Sequence, residues 1–437
     1  MQAYRESWRL AWPLILSNLS VPLLGLVDTA VVGHLPSPDY LGGVALGSTL
    51  VGVVYFLFGF LRMGTTALTA QAFGADTSVE LRTNLVRGLL TAAGLGVLVL
   101  ALGPLIADLG GRVFAPAPEI LAQFHTYVGV RLLGAPAALG SLVLIGWLLG
   151  LQDSRRPLLL MVATNGLNAV LAVTFVFGLG MTTAGVAMAT VIAEYAGFAL
   201  GLLVLADTWR RRGGWPGWAA VLVLDRFRRL LVLNRDLFLR SLMLEAAFVI
   251  FTALGSRQGT LVLAANAVLM NFFTTAAYGL DGFAHAAEAM VGRTVGARDR
   301  AGFAAAVRAG FANAAVLACI MTGLFWLVGP ALIRGVTDLP DVRAEALLFL
   351  PWAVLLPLVS VWAFLFDGIF FGATRTAELR NGMALSLAAF GLLAWLLLPG
   401  LGNHGLWLAF VIFLGLRAVF LGLIYWRAER GAAFVPA

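Results

Sequence analysis

The sequence predicts an all-α polytopic membrane protein, with twelve transmembrane helices in two six-helix bundles related by a parallel internal repeat. Three observations carry that prediction. Hydrophobic residues make up 61% of the 437 and charged residues only 12%, with a mean hydropathy of +0.93, outside the range of soluble domains. Apolar runs of about 20 residues follow one another along the chain, each long enough to cross a bilayer. Short landmarks also recur at a nearly constant offset.

The apolar runs span 8–32, 44–70, 84–108, 122–150, 157–179, 184–207, 236–255, 261–292, 303–328, 347–373, 380–399 and 404–426. They are helical because a spanning segment must satisfy its own backbone hydrogen bonds, and they are too long and too uniformly apolar for barrel strands. The first run continues past the length of a signal-peptide core and is read as a retained helix. The repeat aligns "QAFGADTSVE" from Gln71 with "GRTVGARDRA" from Gly292, so that Gly74 and Ala75 match Gly296 and Ala297 at an offset of 222. "GLQDSRRP" from Gly150 matches "GATRTAE" from Gly372 at the same offset, and "GVAMATVI" from Gly185 matches "GLWLAFVI" from Gly405 at 220. Six spans per copy is an even number, so both copies run in the same sense about an axis along the membrane normal. The expected organisation is an N-terminal lobe over 1–207, a linker over 208–235 rich in Arg, Trp and Gly, and a C-terminal lobe over 236–437. The linker's apolar patch "WAAVLVL" is too short to span.

All 29 basic residues are arginine. Without lysine there is no Walker A loop, so uphill transport would draw on an ion gradient or on a partner's ATPase. The net charge of +7 reflects arginines in short loops; membrane orientation explains them better than nucleic acid does. One set of connections holds Arg5, Arg82, Arg155, Arg156, Arg210 to Arg212, Arg226, Arg228, Arg229, Arg298, Arg300, Arg375 and Arg427, whereas the other holds only Arg112, Arg257, Arg334 and Arg343. By the positive-inside rule both termini and the linker face the cytoplasm. The single cysteine, Cys319, permits neither a disulfide framework nor a thiolate metal site and is expected to pack.

The informative residues are the polar ones inside the spans. Asp28, in "VPLLGLVDTAVVGHL", lies five residues before Gly33, about 7 to 8 Å from the helix end. A charge at mid-bilayer costs roughly 2.5 to 3.5 kcal/mol. Apolar surroundings favour the neutral acid, so a proton can bind there and leave as access alternates; the competing reading is a helix-end acid wetted by headgroups or pinned to an arginine. Asn165 and Asn168 share one helix face and either line a wet cavity or hold helices together. Thr190 can satisfy itself on its own helix. Glu194, one turn on, is either a second titrating group or the partner of an arginine.

In the C-terminal half Asp281, His285 and Glu288 form a polar stripe at i, i+4 and i+7, and Glu245 and Asp367 add two carboxylates. The stripe is either a cation path or a buried network, and His285, without a His or Cys partner at ligand spacing, is read as structural. Arg62 and Arg131 neutralise acids or cap carbonyls, or bind an anionic substrate. Met63, Tyr127 and Trp147 would supply an apolar, cation-tolerant cavity wall.

Twelve spans in two repeats, "GLVDTAVVGHL", "LTAQAFGAD", "RLLGAPAALGSLVLIGWLLGLQDSRRPL", "NAVLAVTFVFGLG" and "LDGFAHAAEAMVGRTVGARDR" together resemble the multidrug and toxic compound extrusion (MATE) transporters, nearest the DinF-like branch, over Trp8 to Trp426. The resemblance implies a V-shaped pair of bundles around a central cavity that opens alternately to each side, exporting organic cations and other amphipathic compounds in exchange for protons or sodium. It implies that Asp28 is the proton or substrate-coupling residue, with Asn168 and Thr190 as neighbours. One departure is Ala172, in "LAVTFVFG", where related transporters carry an Asp one turn after the Asn. Asp28 is then more responsible for coupling, and a tight sodium site in the N-terminal lobe is disfavoured because hard cations want several oxygens. In the sodium-coupled branch the acids that matter lie in the C-terminal lobe, and Glu245 and Asp367 occupy comparable places.

The expectation is therefore proton-coupled multidrug efflux, without cofactor, metal or nucleic-acid partner, by a monomer in a bacterial inner membrane. The alternatives are sodium-coupled efflux through Glu245 and Asp367, and a flippase for lipid-linked saccharides, which would need a more cationic cavity than Arg62, Arg131 and Arg417 provide. An enzyme is disfavoured, since HExxH, GxSxG and His-rich clusters are missing from the sequence.

Overall fold

Apolar residues line each run almost without interruption, and the backbone answers with helix from end to end. The computed structural model describes residues 1–430 and 434–435. Its helices are α1 (Gln2–Gly33), α2 (Pro38–Leu57), α3 (Phe60–Gly74), α4 (Ser78–Phe114), α5 (Pro118–Leu132), α6 (Ala135–Gly150), α7 (Arg155–Val173, continued by a π turn over Thr174–Gly178), α8 (Thr183–Arg211), the single turn α9 (Trp218–Val221), α10 (Leu224–Ser256), α11 (Thr260–Gly296), α12 (Arg300–Val336), α13 (Pro340–Gly372) and α14 (Thr376–Arg430). Among the described residues, ten helical stretches are long and apolar enough to cross a membrane, and α5 with α6 form an eleventh, bent by 50°. The longest, α14, is two helices meeting at Gly402, whose φ of 53° and ψ of −135° are not helical. Counted as two, they bring the apolar helical stretches among the described residues to twelve, the number the sequence predicts.

The internal repeat is legible in the element boundaries. The pair α2 and α3 covers Pro38 to Gly74 and α11 covers Thr260 to Gly296; α4 and α12 both have 37 residues; the pair α5 and α6 ends at Gly150 and α13 at Gly372. Each offset is 222. The copies differ in one respect: α11 and α13 are continuous, whereas their counterparts break at Phe58–Gly59 and Leu133–Gly134.

Contacts divide the chain into two compact units. One is Leu16–Leu231, and the other joins Met1–Ile15 to the chain from Val232 onward. The first fifteen residues, assigned by sequence to the N-terminal lobe, thus pack with the C-terminal half, and α1 and α10 each pass from one unit to the other.

The core of the second unit is aromatic. Phe251, Phe390, Trp407, Phe410 and Phe413 are fully buried, with Phe251 and Phe410 rings 5.1 Å apart. Asn266 and Asn403 exchange amide hydrogen bonds at 2.8 Å, and the Trp407 indole donates to Asn266 Oδ1 at 2.9 Å. Cys319, expected to pack, is exposed.

Candidate functional site

Helices α1, α5, α6, α7 and α8 line a pocket of about 250 Å³ in the unit Leu16–Leu231. Leu24, Leu144, Ile145, Leu160 and Met161 give it an apolar wall, and Ser141, Thr164, Asn165, Asn168, Thr190, Glu194 and Arg131 give it polar groups. Asn165 and Asn168, at i and i+3 of α7, both face it. Asn165 Nδ2 donates to Ser20 Oγ of α1 at 2.9 Å. Thr190 Oγ1 donates to Asn168 Oδ1 at 3.3 Å and also reaches the Val186 carbonyl of its own helix at 3.2 Å. The Asn168 amide nitrogen is buried without an acceptor among the described residues.

Glu194, left open as a second titrating group or an arginine partner, stands against an arginine in the structure. Arg131 grips it through two N···O contacts of 3.1 Å, with both side chains largely buried. The glycine at the break between α5 and α6 makes room for this pair, because a Cβ at Gly134 would collide with the Glu194 carboxylate. Breaking a helix within a membrane frees carbonyls that must be satisfied. Two tyrosines do so: Tyr55 donates to the Arg131 carbonyl at 3.3 Å and Tyr195 to the Leu133 carbonyl at 3.1 Å.

Asp28 is not part of the pocket lining. It follows Ser20 and Leu24 at i+8 and i+4, so it continues the α1 face that touches Asn165 and the pocket. Its Oδ1 is buried and has no hydrogen-bond partner among the described residues. Arg131 and Tyr127 lie within electrostatic reach of it. Arg131 is already held by Glu194.

None of the three side chains expected on the cavity wall lines this pocket. Trp147 is completely buried, its indole donating to the Leu81 carbonyl at 2.8 Å, and Tyr127 packs with Val31, Val32 and Val44. Gly47 lies against Tyr127, where a Cβ would collide with the tyrosine ring. Met63 is outside the pocket lining.

In the second unit the predicted acids do not form one constellation. Asp367 on α13 accepts from Arg240 of α10 and from Arg417 of α14, the latter at 2.7 Å, and all three side chains are buried. Asp281 lies within electrostatic reach of Arg417. Glu288 is fully buried, with His285 Nδ1 at 3.8 Å from its carboxylate. Glu245 is partly buried on α10. Sequence reasoning missed Arg240, although a charge five residues into an apolar run was the available signal; it also missed Asn266 and Asn403, whose reciprocal pairing leaves no periodic trace.

The MatE family model matches residues 13–174 and 237–398. DNA damage-inducible protein F of Escherichia coli (strain K12) is 46% identical over 430 residues, covering 98% of this chain and 94% of that protein. A probable multidrug resistance protein NorM of Acinetobacter baylyi is 26% identical, covering 96% and 92%. Among solved structures, a MOP superfamily transporter from Pyrococcus furiosus is 20% identical with a TM-score of 0.89, covering 100% of this chain and 97% of that one. An outward-facing multidrug resistance MATE transporter is 21% identical with a TM-score of 0.84, covering 99% and 96%. At those identities the solved structures speak to the fold.

Proposed function

The chain belongs to the MatE family of transporters, and from that premise we propose that it is a secondary antiporter expelling lipophilic organic cations in exchange for protons, with Asp28 as the exchange group. The observation that carries this reading is the buried, unpartnered Asp28 Oδ1 on the pocket side of α1. With Arg131 and Glu194 cancelling each other, ionised Asp28 gives the region one net negative charge and favours a cation. Protonation removes that charge and, with it, the attraction. Cation and proton thus exclude each other on one carboxylate, and no covalent step is required. Protonation from one side and deprotonation on the other makes the exchange directional.

The pocket volume of about 250 Å³ is below the range for drug-sized ligands, roughly 300 to 1,000 Å³. It holds a small cation, or the charged head of a larger one whose apolar body lies elsewhere. Asn165, Asn168 and Thr190 supply dipoles that orient the head. Sodium coupling through Glu245 and Asp367 draws less support, because Asp367 already accepts from two guanidinium groups and a metal ion would have to compete with both. The NorM relative's name as a multidrug resistance protein is in keeping with organic cations. The arginine-rich connections support insertion in a bacterial inner membrane with both termini cytoplasmic.

The test is efflux of a fluorescent lipophilic cation from proteoliposomes under a proton gradient or a sodium gradient imposed separately. The proton gradient alone should drive export, and Asp28→Asn should abolish it while leaving insertion and monodispersity unchanged. Export by Asp28→Asn at the unsubstituted rate would overturn the assignment of Asp28. Export driven by sodium alone would overturn proton coupling.

A further inference from the structure

The segment joining α8 to α10 is not a slack tether. Arg82 of α4 donates to the Gly213 carbonyl at 2.8 Å and the Gly214 carbonyl at 3.1 Å. Arg87, buried in the same helix, donates to the Val221 carbonyl at 2.9 Å and the Ala220 carbonyl at 2.6 Å. Its outer guanidinium nitrogen lies 3.5 Å from Glu80, which also faces Arg226 at 3.6 Å. The linker backbone is therefore pinned to α4 at two points, and Val221 and Leu230 turn inward and are buried.

That anchorage also fixes a depth. The apolar run of α4 begins near residue 84, so Arg82 and Arg87 straddle the level where hydrocarbon gives way to headgroups. Held there, the outward face of the linker is apolar: Trp218 is 56% exposed, Leu222 60% and Leu224 78%, with Trp215 and Val223 also exposed. Trp215 and Trp218 brace each other edge to face, 5.1 Å apart. Large apolar side chains fixed outward on a pinned backbone need an apolar contact, and tryptophan in particular belongs at the membrane–water boundary.

The surrounding charge selects the kind of bilayer. From Asp207 to Arg229 there are six arginines against two aspartates. Arg211 is paired with Asp207, whereas Arg210 and Arg228 are exposed and make no ion pair among the described residues. An apolar face flanked by surplus guanidinium groups complements a surface of lipid tails flanked by phosphates.

We propose that residues 210–229 form an interfacial anchor, in which Trp215, Trp218, Leu222 and Leu224 enter the edge of the bilayer while Arg210 and Arg228 bind the phosphates of anionic phospholipids. The anchor fastens the cytoplasm-facing end of the unit Leu16–Leu231 to one leaflet, and it stands whatever ion or substrate the transporter uses.

The single cysteine makes a direct test possible. In a Cys319→Ser background, Trp218→Cys or Leu224→Cys is labelled with an environment-sensitive fluorophore and the protein is reconstituted in phosphatidylcholine, with or without phosphatidylglycerol. Both labels should be quenched by lipids spin-labelled high on the acyl chain, be shielded from aqueous iodide, and show stronger lipid quenching with phosphatidylglycerol. Arg210→Gln with Arg228→Gln should remove that difference. Ready quenching by iodide without quenching by lipid would overturn the anchor. Shielding from both quenchers would also overturn it, by showing a protein on this face. Lipid quenching indifferent to phosphatidylglycerol would overturn the phosphate recognition.

Discussion

Asp28 and Glu194 are both carboxylates set in helices of one unit, yet of the two only Glu194 has an ion-pair partner among the described residues. Glu194 is gripped by Arg131, and neither member of the pair can be removed without leaving the other buried alone. Breaking a buried pair from one side costs about 3 to 5 kcal/mol, most of it the uncompensated charge. Glu194→Gln should therefore lower the thermal unfolding midpoint in detergent sharply, whereas replacing both members with apolar residues should recover most of the loss. An unchanged midpoint in the single variant would mean that water reaches Arg131. This distinction was beyond sequence reasoning, which identified both acids but left the pairing open, because Arg131 and Glu194 lie 63 positions apart and meet only when α5 and α8 pack.

Helices of the two halves obey the same grammar down to single residues. Positive φ values occur at Asp76 and Arg298, and at Gln152 and Thr374, each pair 222 apart. The Thr77 amide reaches the Ala72 carbonyl at 3.0 Å, and the Asp299 amide reaches the Thr294 carbonyl at 2.9 Å, so the same left-handed turn closes the hairpin in each copy. A non-glycine residue there costs roughly 1 to 2 kcal/mol. Arg298→Gly should accordingly raise the unfolding midpoint by the equivalent of about 1 kcal/mol, and a fall would show that the arginine side chain contributes more than its backbone loses. Close helix crossings repeat as well: a Cβ on Gly146 would meet the Arg62 backbone and one on Gly368 the Ala284 backbone. Spans, repeat and hairpin turns were legible in the sequence because hydropathy and the Gly-Ala landmarks are local signals. The breaks in α2/α3 and α5/α6 were not, since their apolar runs read as continuously as those of α11 and α13. What marks the α5/α6 break is tertiary: Gly134 leaves space for the Glu194 carboxylate, and Tyr55 and Tyr195 donate to the Arg131 and Leu133 carbonyls.

At the scale of the whole molecule, chain order and packing part company at α1. Its first fifteen residues belong with the second half of the sequence, and specific contacts hold them there. Glu6 takes two hydrogen bonds from Arg293, at 2.6 and 3.0 Å, Asn313 donates to the Tyr4 carbonyl at 3.0 Å, and the Trp8 ring meets Phe283 edge to face at 4.9 Å. Hydropathy could not reveal this, because a continuous apolar helix carries no mark of where its neighbours change. The consequence is a selective one. Trp8→Ala removes an aromatic pair worth about 1 kcal/mol, and Glu6→Ala adds about 1 kcal/mol from a partly buried ion pair. Combined, they should loosen α1 before Leu16 and the last turns of α11 around Arg293, while α7 and α8, which lie wholly in the other unit, keep their protection. Hydrogen exchange read by mass spectrometry checks this directly. Faster exchange confined to the start of α1 and the end of α11 is the expected pattern; an equal rise in α7 and α8 would mean that α1 transmits the loss along its length and that the two units open together.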